Sequence, residues 1–342
     1  MKDFNVLLTC CGNHVSERIR NLKENEDGVK VKVFACNSNP GNLPYGCDID
    51  GCFVVPPLSS PGYIPEIVRI CKDNRIDIII PTVTLELQFM ADYKEDFEKY
   101  GIKVSISSPM SLKISNNKLH LQEKYPALMP PTVATTSFAD LLSFDSDIRH
   151  DHRLCVKLQD HCGGNGFAIL DDDKARDMTY FNKKYDSHYL SYDEMERIMR
   201  RLDKSIIVQE YIEGLDYSVS VLADHGEVIH ICGYLGYAME HGAIEYGEIK
   251  KNEVAYSIAK MICSEIGLDG NACFDFRITP NGDVYLLEIN PRVNASLPFV
   301  TEAGINMLYL RCKRLLGDYS ENTKDVQYGL KMKKYHESRY FV

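Results

Sequence analysis

Short apolar runs alternate with stretches of helical spacing over the first hundred residues. Asn5-Val6-Leu7-Leu8-Thr9 reads as an apolar strand, residues 15–23 carry apolar positions at helical intervals, and residues 29–34 read as a second strand. A helix follows at 64–71, with further strands at 76–80 and 104–106. This alternation predicts a parallel, doubly wound sheet, an α/β unit over residues 1–110. Pro130-Pro131 marks the next boundary, because neither residue continues a helix. A smaller unit runs from there to about residue 204, and residues 254–266 have the pattern of an amphipathic helix. Residues 330–342 mix basic and aromatic positions in a strand-like way and are expected to pack back on the body. The division is therefore 1–110, 111–320 with a subdomain at about 131–204, and a tail at 321–342.

The densest chemistry lies in Cys273-Phe274-Asp275-Phe276-Arg277 and Leu286-Leu287-Glu288-Ile289-Asn290-Pro291-Arg292, with the hairpin signal Asn281-Gly282-Asp283 between them. Both flanks alternate, so Glu288, Asn290 and Arg292 fall on one face of a strand, and Asp275 and Arg277 on one face of its partner. Two carboxylates and an amide oxygen suit Mg²⁺, which takes one or two carboxylates and completes its shell with phosphates. An arginine beside them suits a transferring phosphoryl group or an acyl-phosphate oxygen. Pro291 argues against a plain solvated strand, since proline is confined to strand edges and ends.

Upstream, Arg153-Leu154-Cys155-Val156-Lys157-Leu158-Gln159 delivers a lysine from an apolar strand, and Cys162-Gly163-Gly164-Asn165-Gly166-Phe167 follows. The glycines allow backbone N–H groups to approach an anion or, equally, make a hairpin turn; no Gly-Lys-Ser/Thr follows, so this is not a Walker loop. Two β-rich runs, 206–212 and 215–221, flank Glu213-Gly214, and Asp216 follows the glycine.

These motifs, in this order, resemble the ATP-grasp superfamily, whose metal-binding strand commonly reads E-x-N-P-R. The first third resembles the pre-ATP-grasp domain of the carbamoyl-phosphate synthetase large-subunit and biotin carboxylase branch. The resemblance implies a Rossmann-like domain followed by an α+β ATP-grasp fold with a small mobile lid at about 131–204. It further implies that Lys118, Lys157 and the loop glycines Gly163, Gly164 and Gly166 contact ATP phosphates. Glu210, Tyr211 and Ile212 would hold the adenine edge, and Asp216 the ribose hydroxyls. Asp275, Glu288 and Asn290 would hold Mg²⁺ or Mn²⁺, with Arg292 and Lys157 serving the chemistry. Glu240, His241 and Glu245 lie where the family shapes its acceptor site, as either substrate contacts or solvated loop charges; Arg277 and Glu86 are further substrate-side candidates. Thr82 and Glu86 follow a strand, where ligands of open α/β sheets bind.

The implied activity is ATP-dependent formation of an acyl phosphate from a carboxylate, attacked by an amine, with amino-acid or peptide-like substrates. Phosphorylation of bicarbonate or carbamate, as in carbamoyl-phosphate synthetase, is the alternative, and a non-catalytic ATP-binding regulator a further one. The partners expected are ATP, a small carboxylate and an amine, with a homodimer compatible.

Composition trims these readings without changing them. The net charge of −10 and the pI near 5.5 exclude a nucleic-acid backbone binder but not ATP, whose phosphates local lysines neutralise. No run of 18 apolar residues suggests a membrane span, and the first residues lack signal-peptide features, so a cytoplasmic setting is expected. The 12 cysteines form no zinc spacing, and several sit in apolar runs. His150-Asp151-His152 lies in a polar stretch and reads as loop. A dinucleotide fingerprint at Cys10-Cys11-Gly12-Asn13-His14 is broken: one glycine stands where three are needed, and Asn37 replaces the acid.

Overall fold

The computed structural model describes residues 2–12, 14–148, 153–158, 166–174, 189–240 and 243–335 of the 342. The opening unit runs β1 (Phe4–Thr9), α1 (Val15–Lys23), β2 (Val31–Asn37), β3 (Gly51–Val54), α2 (Tyr63–Asp73), β4 (Ile78–Pro81), α3 (Leu87–Asp92), α4 (Lys94–Glu98) and β5 (Lys103–Val104). Its sheet has the order β3-β2-β1-β4-β5 with parallel pairing throughout, as strand–helix alternation predicts. Val6, Leu7 and Leu8 are all at 0% exposure, because both faces of β1 are covered. Leu7 packs with Tyr63, Ile67 and Phe97, whereas Val6 and Leu8 share a cluster with Ile19 and Leu22 of α1 and, from the far end of the chain, Val293, Phe299 and Tyr309. That second cluster fastens the opening unit to the rest. The strand expected at 29–34 lies two residues later, and the one at 104–106 is the short β5.

Two short helices follow: α5 (Pro109–Ser115), capped by Ser108, and α6 (Lys118–Lys124), whose cap Asn117 accepts from the Leu119 and His120 amides. The second sheet then collects β6 (Thr132–Thr135), β7 (Arg153–Leu158), β8 (Phe167–Leu170), β9 (Tyr189–Leu190) and β10 (Ile206–Tyr211) in the order β6-β10-β7-β8-β9. With α7 (Phe138–Asp147) and α8 (Tyr192–Met199) it makes its own small core around Leu141, Leu154, Met195 and Val208. β10 belongs to this sheet although it lies beyond residue 204; its antiparallel pairing with both β6 and β7 ties it in.

The third sheet comprises β11 (Leu215–Asp224), β12 (Glu227–Glu240), β13 (Ala243–Ile249), β14 (Gly270–Ile278), β15 (Val284–Asn290) and β16 (Lys331–Lys333), in the order β15-β14-β11-β12-β13-β16. Helix α9 (Glu253–Ile266) covers one face, burying Tyr217, Val219, Phe274, Phe276, Leu286 and Ile289. α10 (Leu297–Glu302) and α11 (Met307–Leu315) join the cluster shared with the opening unit. β16 pairs with β13, so the start of the tail lies on the sheet edge. Gly214, between β10 and β11, sits at φ 153°, and a Cβ there would lie 2.0 Å from the Ile278 carbonyl oxygen. Only glycine lets the chain cross that closely from the second sheet to the third. Among the described residues no helix is long and apolar enough to cross a membrane.

Candidate active site

The hairpin of β14 and β15 pairs Asp275 with Glu288 and Cys273 with Asn290, on the face turned away from α9. A bulge between Asp275 and Phe276 makes this possible. Strict alternation back from Glu288 would bring Leu286 onto the polar face; the bulge instead buries both Leu286 and Ile289, three positions apart. Asn290 Nδ2 donates to Asp275 Oδ2 at 2.9 Å and to Glu288 Oε1 at 3.1 Å. Ser218, opposite Asp275 on β11, donates to Asp275 Oδ1 at 2.7 Å.

Two lysines face this acidic pair from different elements. Lys118, the first residue of α6, places Nζ 2.8 Å from Glu288 Oε2. Lys157 of β7 donates to Gln209 Oε1 at 2.7 Å, and Gln209 Nε2 in turn donates to Thr132 Oγ1 at 2.8 Å. Burial pushes the Asp275 carboxyl up, and the neighbouring Glu288 charge adds to that. Burial would also raise Glu288, but Lys118 and then Lys157 outweigh it and hold that carboxyl well below its ordinary range. Burial in turn lowers Lys157. Gln209 and Ser218 are site residues that sequence reasoning missed. The available signals were a polar residue ending the run Ile206-Ile207-Val208 and the alternation of Asp216, Ser218 and Ser220.

Asp216 and Arg277 stand opposite one another on β11 and β14, with Arg277 Nη2 3.2 Å from Asp216 Oδ1. Burial raises the Asp216 carboxyl and Arg277 counters it. The Tyr211 ring has two guanidiniums over it, that of Arg153 at 5.7 Å and that of Arg277 at 5.8 Å. Arg277 therefore sits beside the acid expected at the ribose. The Glu210 amide donates to the Pro131 carbonyl at 3.0 Å, and Ile212 is buried just after β10.

Arg292 Nε donates to Thr84 Oγ1 at 3.1 Å, Nη1 to the Val293 carbonyl at 3.1 Å, and Nη2 to Asn290 Oδ1 at 3.3 Å. Asn290 thus links the carboxylates on one side to the guanidinium on the other. Thr84 belongs to the turn after β4, at the carboxyl edge of the opening sheet. Glu86, in the same turn, points inward: it is fully buried and accepts from the Thr82 amide at 2.7 Å and the Val83 amide at 3.2 Å. Its carboxylate closes the turn, and Thr84 is the residue that reaches the site.

Of the remaining substrate-side candidates, Glu240 and Glu245 belong to β12 and β13, and His241 lies outside the described residues. Glu245 is 3.9 Å from Lys334, beside the tail. Glu240 ends β12. His241, the loop glycines Gly163 and Gly164, and the His150-Asp151-His152 stretch lie outside the described residues. Gly166 is described, at φ 70° against the Leu158 side chain. The cysteines among the described residues are free thiols, and burial pushes those of Cys155, Cys232, Cys263 and Cys273 up, away from the reactive thiolate.

Residues 203–338 match the family described as ATP-grasp in the biosynthetic pathway with Ter operon, and residues 6–105 match the PylC-like N-terminal domain. The carbamoyl phosphate synthase large chain of Buchnera aphidicola is 24% identical over 318 residues, covering 86% of this chain and 26% of its own length. The chain thus spans about a quarter of that relative. Among solved structures, the biotin carboxylase domain dimer of Hydrogenobacter thermophilus 2-oxoglutarate carboxylase, in complex with MgADP, ADP and bicarbonate, aligns with a TM-score of 0.68 at 15% identity. It covers 97% of this chain and 74% of that one. The L-amino acid ligase of Bacillus licheniformis aligns with a TM-score of 0.63 at 18% identity, over 95% and 76%.

Proposed function

We propose, from the premise that this chain is an ATP-grasp protein with a PylC-like N-terminal domain, that it is an ATP- and Mg²⁺-dependent ligase. It would activate a carboxylate as an acyl phosphate for attack by an amine, with amino-acid or peptide-like substrates. The carrying observation is the convergence of Asp275, Glu288 and Asn290 with two lysines from separate elements.

The residues fit a hard divalent cation. Two carboxylates converge with the Lys118 ammonium 2.8 Å from Glu288, and Asn290, whose Nδ2 faces both acids while Oδ1 accepts from Arg292, would turn its oxygen inward to join them as a ligand. Asp275, Glu288 and Asn290 would hold Mg²⁺ or Mn²⁺, which supplies neutralisation of charge developing on the transferred phosphoryl group. Lys118 and Lys157 would hold ATP phosphates, while Asp216 accepts from the ribose hydroxyls and the 210–212 segment meets the adenine edge. Arg292, oriented by Thr84 and Asn290, would stabilise oxygens of the acyl phosphate and of the tetrahedral species after attack. The second sheet, with its own core and carrying Lys157, suits a lid whose closure keeps water from a labile acyl phosphate.

A second reading, phosphorylation of bicarbonate or carbamate, is favoured by the match to the Buchnera synthase across most of this chain. A screen of ADP release from Mg-ATP over pairs of amino acids, with bicarbonate as a parallel arm, separates the two. Turnover that needs an amino-acid pair supports the ligase. Turnover that needs only bicarbonate moves the assignment to the second reading, and no turnover in either arm removes both.

A further inference from the structure

A second guanidinium stands behind that of Arg292. Arg18 of α1 is 6% exposed, and its Nη2 reaches the Val293 carbonyl at 3.5 Å, the same oxygen that takes Arg292 Nη1 at 3.1 Å. Two positive groups thus share one neutral acceptor. Among the described residues no carboxylate pairs with either, and Arg18 Nε is buried with no hydrogen-bond partner. Burial, reinforced by the Arg292 charge, pulls Arg18 down to about 10; Glu17 offsets this only in part and forms no ion pair with it. Buried charge without a counter-ion is costly, and a fold keeps it where something else supplies the opposite charge.

The position says what that something is near. Arg292 is bonded to Thr84 at the carboxyl edge of the opening sheet, where open α/β sheets take their ligands. The neighbouring β1–α1 loop leaves room, since a Cβ built on Gly12 meets nothing within 4 Å. The metal-side acids are already committed: Glu288 to Lys118, and Asp275 to Asn290 and Ser218. Among the described residues, then, none supplies the missing negative charge, and an anionic substrate at this seam would.

We propose that Arg18 and Arg292 make a doubly positive seat at this seam, and that the substrate seated there is a dicarboxylate rather than a monocarboxylate. Arg292 touches the substrate. Arg18 is a positioning and specificity-determining residue, acting through the shared Val293 carbonyl and through its charge. Planar guanidiniums suit carboxylates, and a second charge discriminates by net charge more than by shape. This inference rests on the ligase reading above and names its substrate class.

The test is calorimetric titration of the Mg-ADP-loaded protein with succinate, its monoamide succinamate, and inorganic phosphate. The parent should bind succinate about tenfold tighter than succinamate. Arg18→Gln should bring that ratio close to one while leaving Mg-ADP affinity unchanged, a pattern that a merely structural role would not give. Arg18→Lys, which keeps the charge, should retain most of the ratio and serves if the glutamine variant does not fold. A parent that binds both organic acids equally overturns the proposal, as does an unaltered ratio in Arg18→Gln or a lost one in Arg18→Lys. Phosphate binding tighter than succinate would give the seat to the transferred phosphoryl group and also overturn it. Loss of Mg-ADP binding by the parent would instead fell the ligase reading beneath it.

Discussion

Arg311 and Arg18 are both buried, at 2% and 6% exposure, yet their surroundings differ. Arg311, on α11, meets Asp269 through two parallel bonds of 2.9 Å and has Ser105 at 3.3 Å. Arg18 has one carbonyl at 3.5 Å, a buried Nε without a partner, and another guanidinium across the same oxygen. The first arrangement is closed: charge and hydrogen bonds are matched inside the chain, and the pair fastens α11 to the loop before β14. The second is open, and it lies where the opening sheet meets the Pro291 turn. A buried charge with its partner in the fold is architecture, whereas one with no carboxylate among the described residues is the observation on which the proposed substrate seat rests. The proposed nucleotide side resembles the Arg311 case, with Glu288 matched by Lys118 and Asp216 by Arg277.

Breaking the matched side at its centre should have the largest effect. Glu288→Gln keeps the shape but removes the charge that faces Lys118 and the proposed metal position. We expect kcat for ATP turnover to fall about 10³-fold with circular dichroism unchanged; near-parent kcat at saturating Mg²⁺ would refute the metal assignment. Arg311→Met strands Asp269 without its partner and should cost about 3–5 kcal/mol in urea unfolding, while a loss below about 1 kcal/mol would mean that the pair is not what fastens α11. Asp216→Ala should raise KM for ATP about tenfold with little change in kcat, because the ribose contact is alike in ground and transition states. It should also narrow the gap between ATP and 2′-deoxy-ATP, and an unchanged gap would take Asp216 off the ribose.

Smaller effects sharpen the contrast. Arg18→Gln removes a charge with no carboxylate partner among the described residues to strand, so stability should change by about 1 kcal/mol or less, against several for Arg311→Met. Equal losses in the two variants would erase the distinction drawn between them. The matched pair should also show in acid. Burial alone would raise the Asp269 carboxyl, but Arg311 outweighs it and holds it below its ordinary range. A carboxyl lowered on folding contributes stability that is present above its unfolded value, about 4, and is lost as pH falls through the folded one. Asp269→Asn should therefore flatten the stability–pH curve below about pH 4, and an unaltered acid limb would deny the pair that role.

Much of this protein was legible in its residues. The parallel opening sheet followed from strand–helix alternation, and α1 at Val15–Lys23 from apolar spacing, because local periodicity reports which face is buried. The hairpin carrying Asp275, Glu288 and Asn290 followed from Asn281-Gly282 and from alternation on its flanks, since a strand of period two fixes which side chains share a face. What the residues by themselves could not decide was whatever depends on partners distant in sequence. The bulge that buries Leu286 beside Ile289 is set by packing beneath α9. The capture of β10 by the second sheet is set by its pairing with β6 and β7. Glu86 reads as a substrate-side candidate from its place after a strand, and only the folded turn shows it bonded to the Thr82 and Val83 amides while Thr84 reaches Arg292. Arg18, 275 positions from the carbonyl it shares, carried no sequence signal at all. Electrostatic matching is a property of three-dimensional neighbours, and the chain decides it only by folding.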